Sequence, residues 1–316
     1  MHVNSAPTRT DGTIRNYVRR YRMLKRQFEN ELAVSDITPD ELTGILIGRK
    51  ENYSASTFRQ YKASVLYVLR TQYPAHELAI EALEDESSAG LQVRSKKTSG
   101  RKQKRVATDD FSVLAETLRT RATNGYRYAQ GLLFVLKATL LTGLRPIEWA
   151  HSETAVHNET GREILRVRNA KNTNNRANGE LREMFIDGLS EEEKEAVQGA
   201  IDFCSGQTEE QVVRIQKAMR NEFEKVRALA LGRRSLITLY SFRHQFLADS
   251  KATFVDPVAI TALAGHSSTK TVFEHYGKRR HGTDGVKVLP TSESVEAVIL
   301  ASDEIGTLPV KTNLLY

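Results

Sequence analysis

Three short stretches of this sequence form unusual local clusters around arginine and histidine, residue types that can hold an anion. In Leu141-Thr142-Gly143-Leu144-Arg145-Pro146-Ile147-Glu148, Arg145 falls in a turn behind a strongly apolar segment, with Glu148 about one helical turn on. A carboxylate at that spacing can hold a guanidinium in one pose, and a fixed guanidinium fork suits an oxyanion. The bland alternative is a surface arginine at a helix C-terminus, where dipole and solvent both suit it. Tyr240-Ser241-Phe242-Arg243-His244 opens a second apolar segment, again around an arginine. Leu263-Ala264-Gly265-His266-Ser267-Ser268 stops one helix and starts another. Tyr276 follows ten residues after His266.

Other chemistries are missing. The chain has no GxxxxGK[ST] phosphate loop, no GxGxxG, no HExxH and no paired-carboxylate motif. Cys204 is the only cysteine, so neither an internal disulfide nor a cysteine metal cluster can form. His244, His266, His275 and His281 crowd the last quarter without zinc-ligand spacing, and no metal is expected.

The elements that must position these residues are read from patterning. At 316 residues the chain predicts two domains, and 40% hydrophobic content supplies real cores. Ile14, Tyr17, Val18, Tyr21 and Leu24 form one helical stripe, interleaved with Arg15, Arg19, Arg20, Arg22, Lys25 and Arg26. Thr38-Pro39-Asp40-Glu41 starts a second helix, with Thr as cap, Pro at the first position and Glu at the third. Thr57 leads a third, and a short fourth runs from about His76 to Leu83. These four helices make a small bundle within residues 1–88. Residues 89–107 form a linker. Its core, RSKKTSGRKQKR, holds Arg94, Lys96, Lys97, Arg101, Lys102, Lys104 and Arg105 and no acid. Such a run cannot bury a face; it reads as a strap that neutralises phosphates or as a solvated tether.

A second domain spans residues 108–290. Phe111, Leu114 and Leu118 begin a helix, and Tyr128 to Leu141 is a buried one. Three short strands follow, at Ala155–Val156, Ile164–Val167 and Leu181–Ile186. The last two flank a polar hairpin containing Lys171. Ser190 with Glu193 and Thr208 with Gln211 cap two further helices, and Asp256-Pro257 opens one that ends at Gly265. Residues 291–316 form a tail whose apolar patch, Val295 to Leu300, packs either on a neighbouring protomer or on its own domain. The fold class is mainly α with a small antiparallel β-sheet. The formal charge is +7, from 46 Lys and Arg against 39 Asp and Glu, which allows a polyanionic partner. No stretch resembles a signal peptide or a membrane span, so a soluble, cytoplasmic protein is expected.

Taken in order, TGLRPIE, YSFR, LAGHSS and EHY resemble the tyrosine recombinase family, the integrases and Xer-type resolvases. The resemblance covers about residues 10–290. It implies a helical core-binding domain at residues 1–88 and a mixed α/β catalytic domain at residues 108–290. Arg145 and Arg243 match the two arginines that grip the scissile phosphate, and Glu148 the acidic residue that buttresses them. Lys171 fits the lysine that protonates the departing 5′ oxygen. His266 matches the histidine that donates to the phosphate, and Tyr276 the nucleophile. Two positions depart from the family. Tyr240 stands where a histidine is usual, and a phenol is a poor proton acceptor near neutral pH. The interval from His266 to Tyr276 is one residue longer than usual. His244 is expected to pack or orient.

The resemblance implies an enzyme that joins or resolves double-stranded DNA sites through a 3′-phosphotyrosine link. Neither ATP, metal nor cofactor is needed. A homo-tetramer would work on two DNA sites, with an accessory DNA-binding protein allowed. The chain begins almost directly with the helical bundle, which argues for a simple core-site enzyme, and Tyr240 leans toward a mobile element. Two other readings share these residues: a topoisomerase-like enzyme that nicks and religates one duplex, and a DNA-binding protein that kept the fold and lost catalysis.

Overall fold

The computed structural model describes residues 11–91, 102–170, 177–206 and 208–304. The chain folds as two compact units, Met1–Gly100 and Arg101–Tyr316. It is 64% helical, and among the described residues there is one four-stranded antiparallel sheet.

The first unit holds α1 (Asp11–Leu32), α2 (Pro39–Gly48), α3 (Ala55–Gln72) and α4 (Glu77–Asp85). Tyr21, Leu24, Phe28, Leu42, Leu46, Phe58, Val65, Leu69 and Leu83 close its core. Thr38 and Glu41 form the capping box that the sequence predicts: the Thr38 N–H donates to Glu41 Oε2 at 2.7 Å, and the Glu41 N–H to Thr38 Oγ1 at 3.3 Å. The third helix starts earlier than expected. Its cap is Ser54, whose Oγ accepts from the Thr57 N–H at 3.2 Å. Thr57 is therefore inside the first turn, because Ser54 offers the same hydroxyl chemistry three residues sooner.

The second unit begins with α5 (Thr108–Thr123) and α6 (Ala129–Thr142), the latter buried on most of its faces. A short 3-10 turn (Glu148–His151) leads into β1 (Ser152–Val156), β2 (Glu163–Arg168) and β3 (Leu181–Phe185), paired in that order. Then come α7 (Glu191–Cys204), α8 (Glu209–Leu231), α9 (Leu239–Thr253), α10 (Pro257–Ala264) and α11 (Thr269–His275). The strand β4 (Leu289–Pro290) adds to the free edge of β3, and α12 (Ser292–Glu304) follows. The sequence reading lacks β4, since two residues carry no alternation.

The last residues of the expected linker bond to α9 and to the segment just before it. The Gln103 N–H donates to Leu236 O at 3.0 Å, and the Val106 N–H to Gln245 Oε1 at 3.1 Å. The C-terminal apolar patch folds back on its own unit: Val298 is fully buried against Val258 and Ala262 of α10. Ser294 Oγ accepts the Glu183 N–H of β3 at 2.8 Å and so fixes where α12 starts.

Candidate active site

The site starts where α6 stops. Gly143 ends the helix at φ 70, in the left-handed region that a side chain would strain. The chain reverses there and delivers Arg145 to the interior rather than to the surface expected of a helix-end arginine. Glu148 meets it at once. The Arg145 N–H donates to Glu148 Oε2 at 2.8 Å, and Arg145 Nη1 donates to Glu148 Oε1. Arg145 is 3% exposed and Glu148 0%.

Glu148 also holds two arginines from distant elements. Arg182 Nη2, on β3, donates to Glu148 Oε2 at 2.8 Å. Its Nε reaches Leu263 O at 3.2 Å, and its Nη1 donates to Asn169 Oδ1. Arg243, on α9, lies 3.9 Å from the same carboxylate. Its Nη1 donates to Gly143 O at 2.5 Å and its Nη2 to Ala264 O at 2.6 Å. Burial alone would raise the Glu148 carboxyl. Arg182, Arg145 and Arg243 outweigh it and hold the group well below the usual carboxylate range. Among the described residues Glu148 is the carboxylate that ion-pairs with all three guanidiniums, which leaves 3 − 1 = 2 positive charges in excess. Each uncompensated buried charge costs several kcal/mol. Burying Phe242 and Phe246 beside Arg243 contributes about 1.5–3 kcal/mol apiece and offsets part of that.

His266 stands over this cluster. It follows Gly265, the left-handed C-cap of α10 at φ 62. Its Nε2 lies 3.2 Å from Arg145 Nη2, 3.3 Å from Arg243 Nη2 and 3.1 Å from Tyr276 Oη. Burial first, then Arg243 and Arg145, push the imidazole pKa down to about 2. The ring is therefore neutral, and because two guanidinium donors face Nε2, that nitrogen suits the acceptor role and Nδ1 the proton. Arg145 Nε and Arg243 Nε are buried with no hydrogen-bond partner among the described residues. Two guanidiniums thus retain donors for an incoming anion. Tyr276 is the residue at which α11 ends, and its ring lies 5.2 Å from the Arg243 guanidinium carbon.

Tyr240 sits at the edge of the cluster. Its half-buried ring is 6.1 Å from His244, whose ring is 5.0 Å from that of Tyr276. Burial raises the Tyr240 pKa. Burial, Lys104 and Arg243 lower that of His244 to about 4. A cavity of about 290 Å³ opens beside Tyr276, and Lys104, Arg105, Lys278 and Arg280 line it. Of the strap residues, Lys102, Lys104 and Arg105 are exposed. Lys171 and the strap residues Arg94, Lys96, Lys97 and Arg101 lie outside the described residues.

Sequence reasoning missed Arg182 and Asn169. The signal was present: Arg182 alternates with Met184 on the inner face of β3, opposite Val167. An arginine at an inward strand position requires a buried acid.

Among the described residues no group of three or more His, Cys, Asp or Glu could hold a metal ion, and no helix is long and apolar enough to cross a membrane. No family model and no curated protein matches the chain. Among solved structures it is similar to a lambda integrase solved as a tetramer bound to a Holliday junction, at 15% identity over 86% of this chain and 74% of that one, with a TM-score of 0.48. It is also similar to the XerA recombinase, at 18% identity over 94% of this chain and 92% of the other, with a TM-score of 0.37. Both are tyrosine recombinases.

Proposed function

We propose that the chain is a tyrosine-type site-specific recombinase that cuts and rejoins DNA through a covalent 3′-phosphotyrosine. One observation carries the reading. The Tyr276 hydroxyl and two guanidiniums meet at a single neutral imidazole nitrogen, in a buried cluster with two positive charges in excess. A phosphodiester brings one negative charge and gains a second in the pentavalent transition state. The cluster therefore complements the transition state better than the ground state.

In this scheme Arg145 and Arg243 turn their donors onto the non-bridging oxygens. Glu148 keeps both forks oriented, and Arg182 keeps Glu148 in place. His266 here departs from the expected phosphate donor: its Nε2 lies 3.1 Å from Tyr276 Oη, and in this scheme the phosphate's charge lifts its basicity so that it takes the phenolic proton. Tyr276 Oη attacks phosphorus, the P–O5′ bond breaks, and the departing oxygen takes a proton from Lys171. The 5′ hydroxyl of a partner strand later attacks the same phosphorus and releases Tyr276. One phosphodiester replaces another, so neither ATP, metal nor cofactor is required. The partners are double-stranded DNA sites in the cytoplasm, with four protomers on two duplexes. The reaction integrates, excises or resolves a mobile element.

The test uses wild type and Tyr276→Phe with DNA from the flanks of the protein's own gene, nicked to trap the cleaved strand. On a denaturing gel, without metal or ATP, wild type gives a protein–DNA adduct and Tyr276→Phe does not. Tyr240 favours a second reading, a DNA-binding protein with impaired catalysis. Tight binding to that DNA without any adduct would support it, and Tyr240→His is then the next variant to examine.

A further inference from the structure

Lys251 lies near the end of α9, and its side chain is buried. Its Nζ donates to Val272 O at 2.9 Å and to Gly277 O at 2.7 Å. The first carbonyl belongs to the last turn of α11, where no further intrahelical donor follows. The second lies just past Tyr276. The two carbonyls bracket the nucleophile, and one ammonium group holds both. The same ammonium lies 5.0 Å from the Phe273 ring centroid. Among the described residues no carboxylate ion-pairs with it.

The rest of α9 supports the same grip. A Cβ at Gly277 would come 2.5 Å from His244 O and 2.9 Å from Ala248 Cβ, so this glycine lets the chain press on the helix. His244, Ala248 and Lys251 are spaced i, i+4 and i+7, one face of α9. Arg243 projects from the same helix to the phosphate site. One rigid element therefore places both the phosphate-gripping arginine and the backbone that presents the tyrosine.

We propose that Lys251 is a positioning residue for Tyr276, clamping the backbone on both sides of the nucleophile so that its hydroxyl stands in line with the phosphate. A leucine or methionine would fill the same volume more cheaply. Burial and Lys104 push the Lys251 pKa down to about 8, a cost with no return in packing. Only a donor on a long stem can reach two carbonyls five residues apart.

The assignment rests on the recombinase reading for its consequence, but not for its geometry. The experiment therefore has two arms, run on Lys251→Met. If that variant does not fold, Lys251→Gln, which keeps donors at shorter reach, takes its place. The first arm follows amide hydrogen exchange. The clamp predicts that amides around residues 269–278 exchange at least about tenfold faster in the variant, while α6 is unchanged. Equal exchange would overturn it, whatever the protein does to DNA. The second arm measures chemistry on DNA that wild type cleaves. The variant should bind it within about twofold but form the adduct about 100-fold more slowly. Hydrogen peroxide then replaces the phenol as nucleophile in Tyr276→Phe: its oxygen bonds to phosphorus and the same P–O5′ bond breaks. Adding Lys251→Met to Tyr276→Phe should leave that rate unchanged, because the phosphate site is intact. An equal loss in the peroxide reaction would make Lys251 a general support of the site and sink the assignment. Absence of any wild-type adduct would fault the recombinase reading alone, and the exchange arm still decides the clamp.

Discussion

Arginine does two different jobs in the two units. Along α1, Arg15, Arg19, Arg22 and Arg26 are exposed to solvent. In the second unit Arg145, Arg182 and Arg243 are 3%, 1% and 0% exposed. Water screens the first set, so each of those charges contributes little to stability. The second set is stripped of water and shares one carboxylate, so its geometry is fixed and its unbalanced charge is a demand for an anion. A formal charge of +7 says nothing about this difference. Burial without a full complement of acids separates chemistry from solvation.

The comparison can be broken at several points. Replacing Arg145 or Arg243 with Lys keeps the charge and loses the fork. Strand cleavage should fall by about 10²–10³ with DNA binding largely kept; a change below tenfold in a single-turnover cleavage assay would put these two arginines in the same class as those of α1. Glu148→Gln leaves three buried guanidiniums without their anion and should cost about 3–5 kcal/mol, or about 10 °C in the Tm of the second unit. Trp149, the only tryptophan, is fully buried beside it and reports that transition by fluorescence.

Acid should separate the units next. His244 and His266 have folded pKa values of about 4 and about 2, below the unfolded value near 6.5. Their contribution is full above about pH 6.5 and is lost as pH falls, by at most about 1.4 kcal/mol per pH unit for each. The carboxyl of Glu148 pulls the same way below its ordinary range. The Trp149 signal should therefore melt progressively earlier below pH 6.5; a flat pH profile would mean that the histidines are solvated. In the strap, changing Lys102, Lys104 and Arg105 together to Ala should weaken DNA binding and flatten its salt slope by up to about 3. An unchanged slope would make the strap a simple tether. The smallest effects belong to α1: Arg15, Arg19, Arg22 or Arg26 to Ala should each shift stability by about 0.5 kcal/mol or less in thermal melts.

Local chemistry was the most legible part of the fold. The Thr38–Glu41 and Ser190–Glu193 boxes and the Asp256 and Gly265 ends were readable because each is complete within a few residues. Ser54 was missed because Thr57 offered the same hydroxyl three positions later. For the site, Arg145, Glu148, Arg243, His266 and Tyr276 were found through ordered motifs, and the structure brings them together. Arg182 and Lys251 belong to no motif. Their roles come from partners far away in the chain: Glu148 for one, and the carbonyls of Val272 and Gly277 for the other. Periodicity reports only which way a side chain faces, and a carbonyl acceptor has no identity in the sequence.

The arrangement around Glu148 also orders events in time. Its pair with Arg145 is three residues apart and can close as soon as the turn forms. Arg182 must arrive across 34 positions, and the Arg243 bond to Gly143 spans 100. Loop closure costs entropy that grows with the logarithm of that distance, so the shared carboxylate collects its arginines from near to far. On that ordering the late ones are expected to form after the rate-limiting barrier. Changes at Arg182 should leave the folding rate nearly untouched and shorten the lifetime of the folded protein instead.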